Sequence, residues 1–252
     1  MRFRNTVILA AGFRKAHIFL GFKFSEDHGG FYKGSLALML DKIPLCAKLL
    51  HCTSDSDPAD MVKLGKLRLR RDFFSGLIST VFDLEYMKGF DVVHSGNYSF
   101  TESELHKIKE SGIPVSFDFS DDSTEEYYEK TAPHVTYAFC SFDGTDEEAK
   151  EHLKKLTSMG LELAMDSRGA KGCILYDGEK FFAQEAAPLE KVKDTLGAGD
   201  SLIASFLTGF IGRTKAGMDK ETAICESLEE AAAFAAGICG MEGAFGYGKK
   251  YE

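Results

Sequence analysis

Asp194-Thr195-Leu196-Gly197-Ala198-Gly199-Asp200 carries the densest chemical signal in this chain. Two carboxylates bracket a bend of small residues, and a helix-period pattern begins at the second. Leu202, Ile203, Phe206, Leu207, Phe210 and Ile211 recur at the spacing of one helix face, with Ser201, Ser205 and Thr208 off it. A Gly-Ala-Gly bend entering a helix leaves the first N–H groups without intrahelical partners. Together with the positive end of the helix dipole, those groups form a nest for an anion. Asp200 is a poor phosphate ligand, because like charges repel. It suits the removal of a proton from a hydroxyl that attacks the phosphate. Anion nest plus base is the minimum equipment for phosphoryl transfer to an alcohol. A plain turn and helix cap would use the same residues, so seven residues alone leave both readings open.

Working outward, the chain from about residue 90 alternates strand and helix signals. Residues 91–95, 115–119, 135–140 and 161–165 read as strands, and 102–111, 123–131 and 145–158 as helices. Thr145 is the expected cap of the last of these, and the acidic run 143–151 its solvated face. Asp177-Gly178 marks a hairpin between 172–176 and 180–182. Two helices follow, at about 200–212 and 219–239. Strands alternating with helices imply an α/β fold: a mostly parallel sheet covered on both faces. Ligands in such sheets bind beyond the C-terminal strand ends, where the 194–200 bend would lie.

A chain of 252 residues fits one α/β domain, and 44% hydrophobic residues can fill its core. The net charge of −9 argues against nucleic acid as a partner. No apolar run reaches the roughly eighteen residues of a membrane span. Arg2 and Arg4 precede an apolar run that Gly12, Arg14 and Lys15 cut short, which is not a secretory signal. Cys46, Cys52, Cys140, Cys173, Cys225 and Cys239 show no CxxC spacing. Buried free thiols in a reducing cytoplasm are the expectation.

The whole 194–200 string resembles the second signature of the ribokinase-like (PfkB) carbohydrate kinases, D-T-x-G-A-G-D before a helix, at every specified position. The resemblance implies a ribokinase-like fold and ATP-dependent phosphorylation of a sugar-type hydroxyl. It implies Asp200 as catalytic base, and the Gly197, Ala198 and Gly199 amides as the hole for the transferring group. Thr195 would contact nucleotide. Asp194 would help organise a monovalent-cation (K+) site, and Mg2+ would accompany ATP. Asp166 to Gly172 resembles the family's nucleotide loop, a strand then L-G-x-x-G: Gly169 and Gly172 match its glycines, and Ser167 lies two before the first. Arg168 and Lys171 are candidate phosphate contacts or simply exposed. Ser116 to Asp122 and Gly243 to Gly246 resemble the fructoselysine 6-kinase-like branch. One Asp of the former could face substrate or hydrated Mg2+, while others cap the next helix. Where many members carry Asn and then Glu for Mg2+, this chain has Ser141 and Asp143. His94 reads as a hydrogen-bonded structural histidine.

The resemblance covers roughly residues 85–246; the expectation is one ribokinase-like domain over 1–252, with 85–252 its recognisable nucleotide-binding and catalytic part and 1–84 an atypical N-terminal or lid region that does not match. Thr6 to Gly12 could be the first strand, but His17 stands five after Gly12 and no acid occurs before Glu26. Gly29-Gly30 offers a hinge without the expected Asn. Ser54 to Asp60 and the basic Lys63 to Arg71 fill the place of lid strands. The small lid is therefore degraded or atypical. Either it has diverged, or the first 70 or so residues are a frame-error leader, which the abrupt change of pattern favours. A catalytically impaired, nucleotide-binding remnant is the alternative to an active kinase. Relatives that use the lid commonly form homodimers, which the altered lid leaves open here.

Overall fold

The computed structural model describes residues 84–242 except 86, 98–100 and 122, together with the backbone of three short strands before them. Those strands are β1 (Val7–Ile8), β2 (Ala10–Gly12) and β3 (His17–Phe19). Next come β4 (Val93–Gly96), α1 (Leu105–Glu110), β5 (Val115–Ser120) and α2 (Glu125–Thr131). They are followed by β6 (Tyr137–Ser141), α3 (Asp146–Ser158) and β7 (Leu163–Ser167). A hairpin of β8 (Cys173–Tyr176) and β9 (Phe181–Gln184) leads to α4 (Ala198–Lys215) and α5 (Lys220–Cys239).

β1, β4, β5, β6 and β7 lie side by side and parallel, and β8 and β9 extend the sheet antiparallel. β2 and β3 form a separate antiparallel pair. The first-strand candidate at 6–12 thus includes two short strands, one of them beside β4. The hinge, the 54–60 and 63–71 segments and residues 243–246 lie outside the described residues.

Period-two alternation assigns the strands' side chains to two cores. Val115, Phe117 and Phe119, with Ala138, Cys140 and Ala164, pack under α1, α2 and α3. Tyr137, Phe139, Leu163, Met165, Cys173 and Leu175 pack under α4 and α5. The expected α4 face is buried in full, from Leu202 to Ile211. Ser201 is buried with it, since its hydroxyl donates to the Gly197 carbonyl at 2.6 Å.

Boundaries shift where a side chain is engaged elsewhere. The helix expected from 102 starts as a 3-10 turn, Glu102–Glu104, because the Thr101 hydroxyl hydrogen-bonds Ser95 at 2.6 Å instead of capping. α2 starts two residues late, with Thr124 as its cap, since Ser123 Oγ donates to the Phe119 carbonyl. β6 starts at Tyr137 because the Val135 N–H closes a 3-10 turn on Ala132. α3 opens with Thr145 and Glu148 in a reciprocal capping box, as the sequence suggests. Among the described cysteines, Cys140 and Cys173 are buried, but Cys225, on the outer side of α5, is exposed.

Candidate active site

The bend before α4 is held from both ends. Asp194 Oδ1 accepts from the Leu196 N–H at 2.9 Å, an Asx turn, and the Lys193 and Asp194 N–H groups donate to the Cys239 carbonyl at the end of α5. Gly197 caps α4 at φ 80°, a left-handed conformation that a side chain would strain. The Ala198 N–H closes the turn on the Thr195 carbonyl at 3.1 Å. Gly199 differs: a Cβ there would meet nothing within 4 Å, and its N–H has no backbone partner among the described residues. Packing does not require glycine at 199, which leaves the open space beside it for a ligand.

That space is a shallow crevice, open to solvent, at the C-terminal ends of β5, β6 and β7. Asp118, Cys140, Ser141, Ser167 and Gly199 line it, over a floor of Phe139, Met165 and Ile203. Asp118 points there because Phe117 and Phe119 turn to the opposite core, leaving the residue between them on the α4 side. It is half-buried, and its Oδ1 accepts from the Ser120 N–H at 2.8 Å. Ser120 itself holds a φ of 58°, strained for a non-glycine, beside a register irregularity in β5. Gly96 lets β4 approach, since a Cβ would stand 3.2 Å from the Asp118 carbonyl.

Asp200, half-buried in the first turn of α4, is within electrostatic reach of Asp118. Burial pushes the Asp118 carboxyl up to about 7, helped by the charges of Asp200 and Asp121 and opposed by the Ser120 hydrogen bond. Burial pushes Asp200 up to about 6. Two carboxylates with raised proton affinity beside an anion nest can take up a proton and hold a hydrated cation.

Ser167 and Gly199 therefore meet at one crevice, with Asp200 beside them. Thr195 is exposed and Asp194 orients the bend. Gly169 and Gly172 flank a 3-10 turn after β7, and Gly172 is enforced by packing: a Cβ would stand 1.9 Å from the Gln184 carbonyl. Arg168 is no phosphate hand. Its side chain is 5% exposed and bound to Asp146 at 2.7 Å and the Gly144 carbonyl at 2.9 Å, while Lys171 is exposed. His94 is buried and hydrogen-bonded to Ser116 at 2.8 Å, and burial lowers it to about 4, in keeping with a structural role. The one position sequence reasoning left unspecific is Asp118. The alternation Val115-x-Phe117-x-Phe119 was the signal that could have singled it out.

Comparison with known proteins decides the family, because the pfkB family carbohydrate kinase model matches residues 79–244. The chain belongs to the pfkB carbohydrate kinases. Fructosamine kinase FrlD of Bacillus subtilis (strain 168) is 38% identical over 68% of this chain and 57% of its own length. Fructoselysine 6-kinase of Escherichia coli (strain K12) is 31% identical over 60% of this chain and 56% of its own. The chain thus spans somewhat over half the length of these relatives. Among solved structures, Arabidopsis thaliana ribokinase complexed with ribose and ATP aligns with a TM-score of 0.55 at 23% identity, over 67% of this chain and 55% of that one. Fructokinase with bound ATP from Xylella fastidiosa gives 0.52 at 17%, over 64% and 59%. These two show the ribokinase-like fold. Among the described residues, no helix is long and apolar enough to cross a membrane.

Proposed function

We propose that this pfkB chain catalyses ATP-dependent phosphorylation of a hydroxyl on a fructosamine or related sugar derivative. The observation that carries this is the convergence of Asp118, Ser141, Ser167 and Gly199 on one crevice, with Asp200 next in chain to Gly199. The acceptor class rests on the similarity to FrlD and fructoselysine 6-kinase.

Asp200 accepts the proton of the attacking alcohol. The bond formed is alcohol oxygen to γ-phosphorus, and ADP leaves. The Gly199 N–H, presented by the bend through Gly197 and Ala198, faces the charge that develops on the transferring group. Ser167, Gly169 and Gly172 set the backbone of the nucleotide loop, and Thr195 offers an exposed hydroxyl to the nucleotide. Asp118 supplies a hard oxygen donor of the kind a hydrated Mg2+ prefers. When bound, ATP supplies the phosphoryl group and Mg2+ neutralises charge on its phosphates. The Asp194 turn is the place for a K+ ion, tested by exchanging K+ for Na+ in the assay. A cytoplasmic location and a small-molecule sugar partner belong to the same reading, and sedimentation distinguishes monomer from homodimer.

A coupled ADP-release assay of the full chain against Amadori compounds and simple sugars tests the proposal. The expected result is turnover on a fructosamine. ATP binding by calorimetry without transfer to any acceptor would select the non-catalytic remnant, which the kinase names of the relatives do not favour.

A further inference from the structure

Under α3, where the sheet packs against α1, α2 and α3, lies a second cluster of chemically able side chains, one of which, Cys140, also lines the crevice. Cys140 on β6, His152 on α3 and Asp166 on β7 bring a thiol, an imidazole and a carboxylate within 4.8 Å of one another. Asp166 is fully buried and Cys140 nearly so, while the His152 side chain keeps 17% exposure at the mouth. His152 Nδ1 stands 3.1 and 3.0 Å from the two Asp166 oxygens. In a tetrahedral zinc site, ligand bonds near 2.0–2.1 Å place neighbouring N and O ligands about 3.3 Å apart. In this structure the His152 Nδ1 and the Asp166 carboxylate are hydrogen-bonded to each other, so a bound cation would take the place of their shared proton with a small separation of the two groups. Phe142 stacks on the imidazole at 5.0 Å and Tyr128 meets it edge-on at 5.5 Å, which fixes the ring plane. The Tyr128 hydroxyl lies 3.8 Å from Cys140 Sγ. Arg168, the nearby cation, is occupied by Asp146 and the Gly144 carbonyl.

We propose that Cys140, His152 and Asp166 form a binding site for a borderline-soft divalent cation of the Zn2+ class, with water or Tyr128 as fourth ligand. One sulfur, one nitrogen and one oxygen donor within 4.8 Å of one another favour Zn2+ over Mg2+ or Ca2+, which prefer all-oxygen shells. Ligation replaces the S–H bond by a sulfur–metal bond and releases the thiol proton to solvent. Cys140 and Asp166 are cross-strand partners, and the next pair in register is Ser141 with Ser167, which lines the crevice. The ion clamps the ends of β6 and β7 from behind. This site is inferred without the kinase reading, although Cys140 also lines the crevice.

Co2+ titration of the metal-free full chain, followed by absorption, tests it. The expected result is one equivalent bound with a thiolate-to-metal charge-transfer band, displaced by Zn2+ and unchanged in Cys225→Ser. Affinity should fall about tenfold per unit of decreasing pH, for one proton released. Cys140→Ser should abolish the band, and His152→Gln and Asp166→Asn should each weaken binding by more than about tenfold. Zn2+ should also raise the thermal midpoint of the wild type but not of His152→Gln. A folded wild type without the band, a band that survives Cys140→Ser, or unchanged affinity in both other variants would each overturn the proposal. If Cys140→Ser fails to fold by circular dichroism, His152→Gln at the cluster's mouth decides alone.

Discussion

The two faces of the sheet bury carboxylates at the same strand ends and treat them in opposite ways. Behind the sheet, Asp166 meets an imidazole across 3.0 Å, with the Arg168 charge nearby. Burial pushes its carboxyl up, while His152 and Arg168 pull it down. On the crevice side, no cationic side chain among the described residues pairs with Asp118, and its charged neighbours there are Asp200 and Asp121. Removing either partner of a buried acid–base pair leaves an uncompensated polar group, so the fold depends on both being kept. A half-buried acid beside another acid is unfavourable for the fold alone. It persists beside an open crevice, an amide without a backbone partner and a strained Ser120, the signature of a site shaped by its ligand.

The largest effect expected from this contrast is on catalysis. Asp200→Asn should lower kcat by on the order of 10² or more, with ATP affinity little changed and stability at neutral pH unchanged or raised. Asp166→Asn should do the reverse, costing about 1–3 kcal/mol of stability with a small change in kcat. Steady-state kinetics and denaturant melts of both variants check this. Equal turnover in Asp200→Asn would end its role as base, and an Asp166→Asn variant that is stable but inactive would break the contrast between the faces.

Two glycines sharpen it further. Gly172→Ala should destabilise by more than about 2 kcal/mol, because the Cβ would stand 1.9 Å from backbone at a φ of 84°. Gly199→Ala should leave stability within about 1 kcal/mol, or raise it, since alanine favours the helix and the space is open. Its kcat/KM should nonetheless fall roughly tenfold, about 1.4 kcal/mol, as the methyl crowds the transferring group. A Gly199→Ala variant with full activity would show that the transferring group does not occupy the open space beside residue 199.

The sequence made the crevice side legible because its parts are local. The Asp194 to Asp200 bend and the α4 face each lie within a few turns of chain, where spacing reports geometry directly, as it does for the Thr145 capping box on the other side of the sheet. Asp118 stood among three acids near a strand end, and only the pleat separates it from its neighbours. Arg168 resembled a phosphate contact because loop position does not reveal burial, and its partners lie more than twenty residues back in sequence. The Cys140, His152 and Asp166 cluster was invisible for the same reason: it joins two strands and a helix through side-chain packing, with no local spacing to mark it. The ends of α1, α2 and β6 moved because Thr101, Ser123 and the Val135 amide had competing partners.

The smallest expected effect concerns pH. Asp118 holds its proton to about 7 in the fold, against an ordinary value near 3.8. Between those values the folded state binds more protons than the unfolded one, so stability falls as pH rises through the window. The slope from one such group cannot exceed about 1.4 kcal/mol per pH unit, and solvent in the crevice reduces it. Asp118→Asn should flatten that slope between about pH 4 and 7. Asp200→Asn should flatten it in part, by removing both its own titration, raised to about 6, and the charge that repels Asp118. Denaturant melts across this range separate the contributions. If the slope survives both substitutions, the acids that cause it lie elsewhere, and the crevice loses its claim to be the strained face.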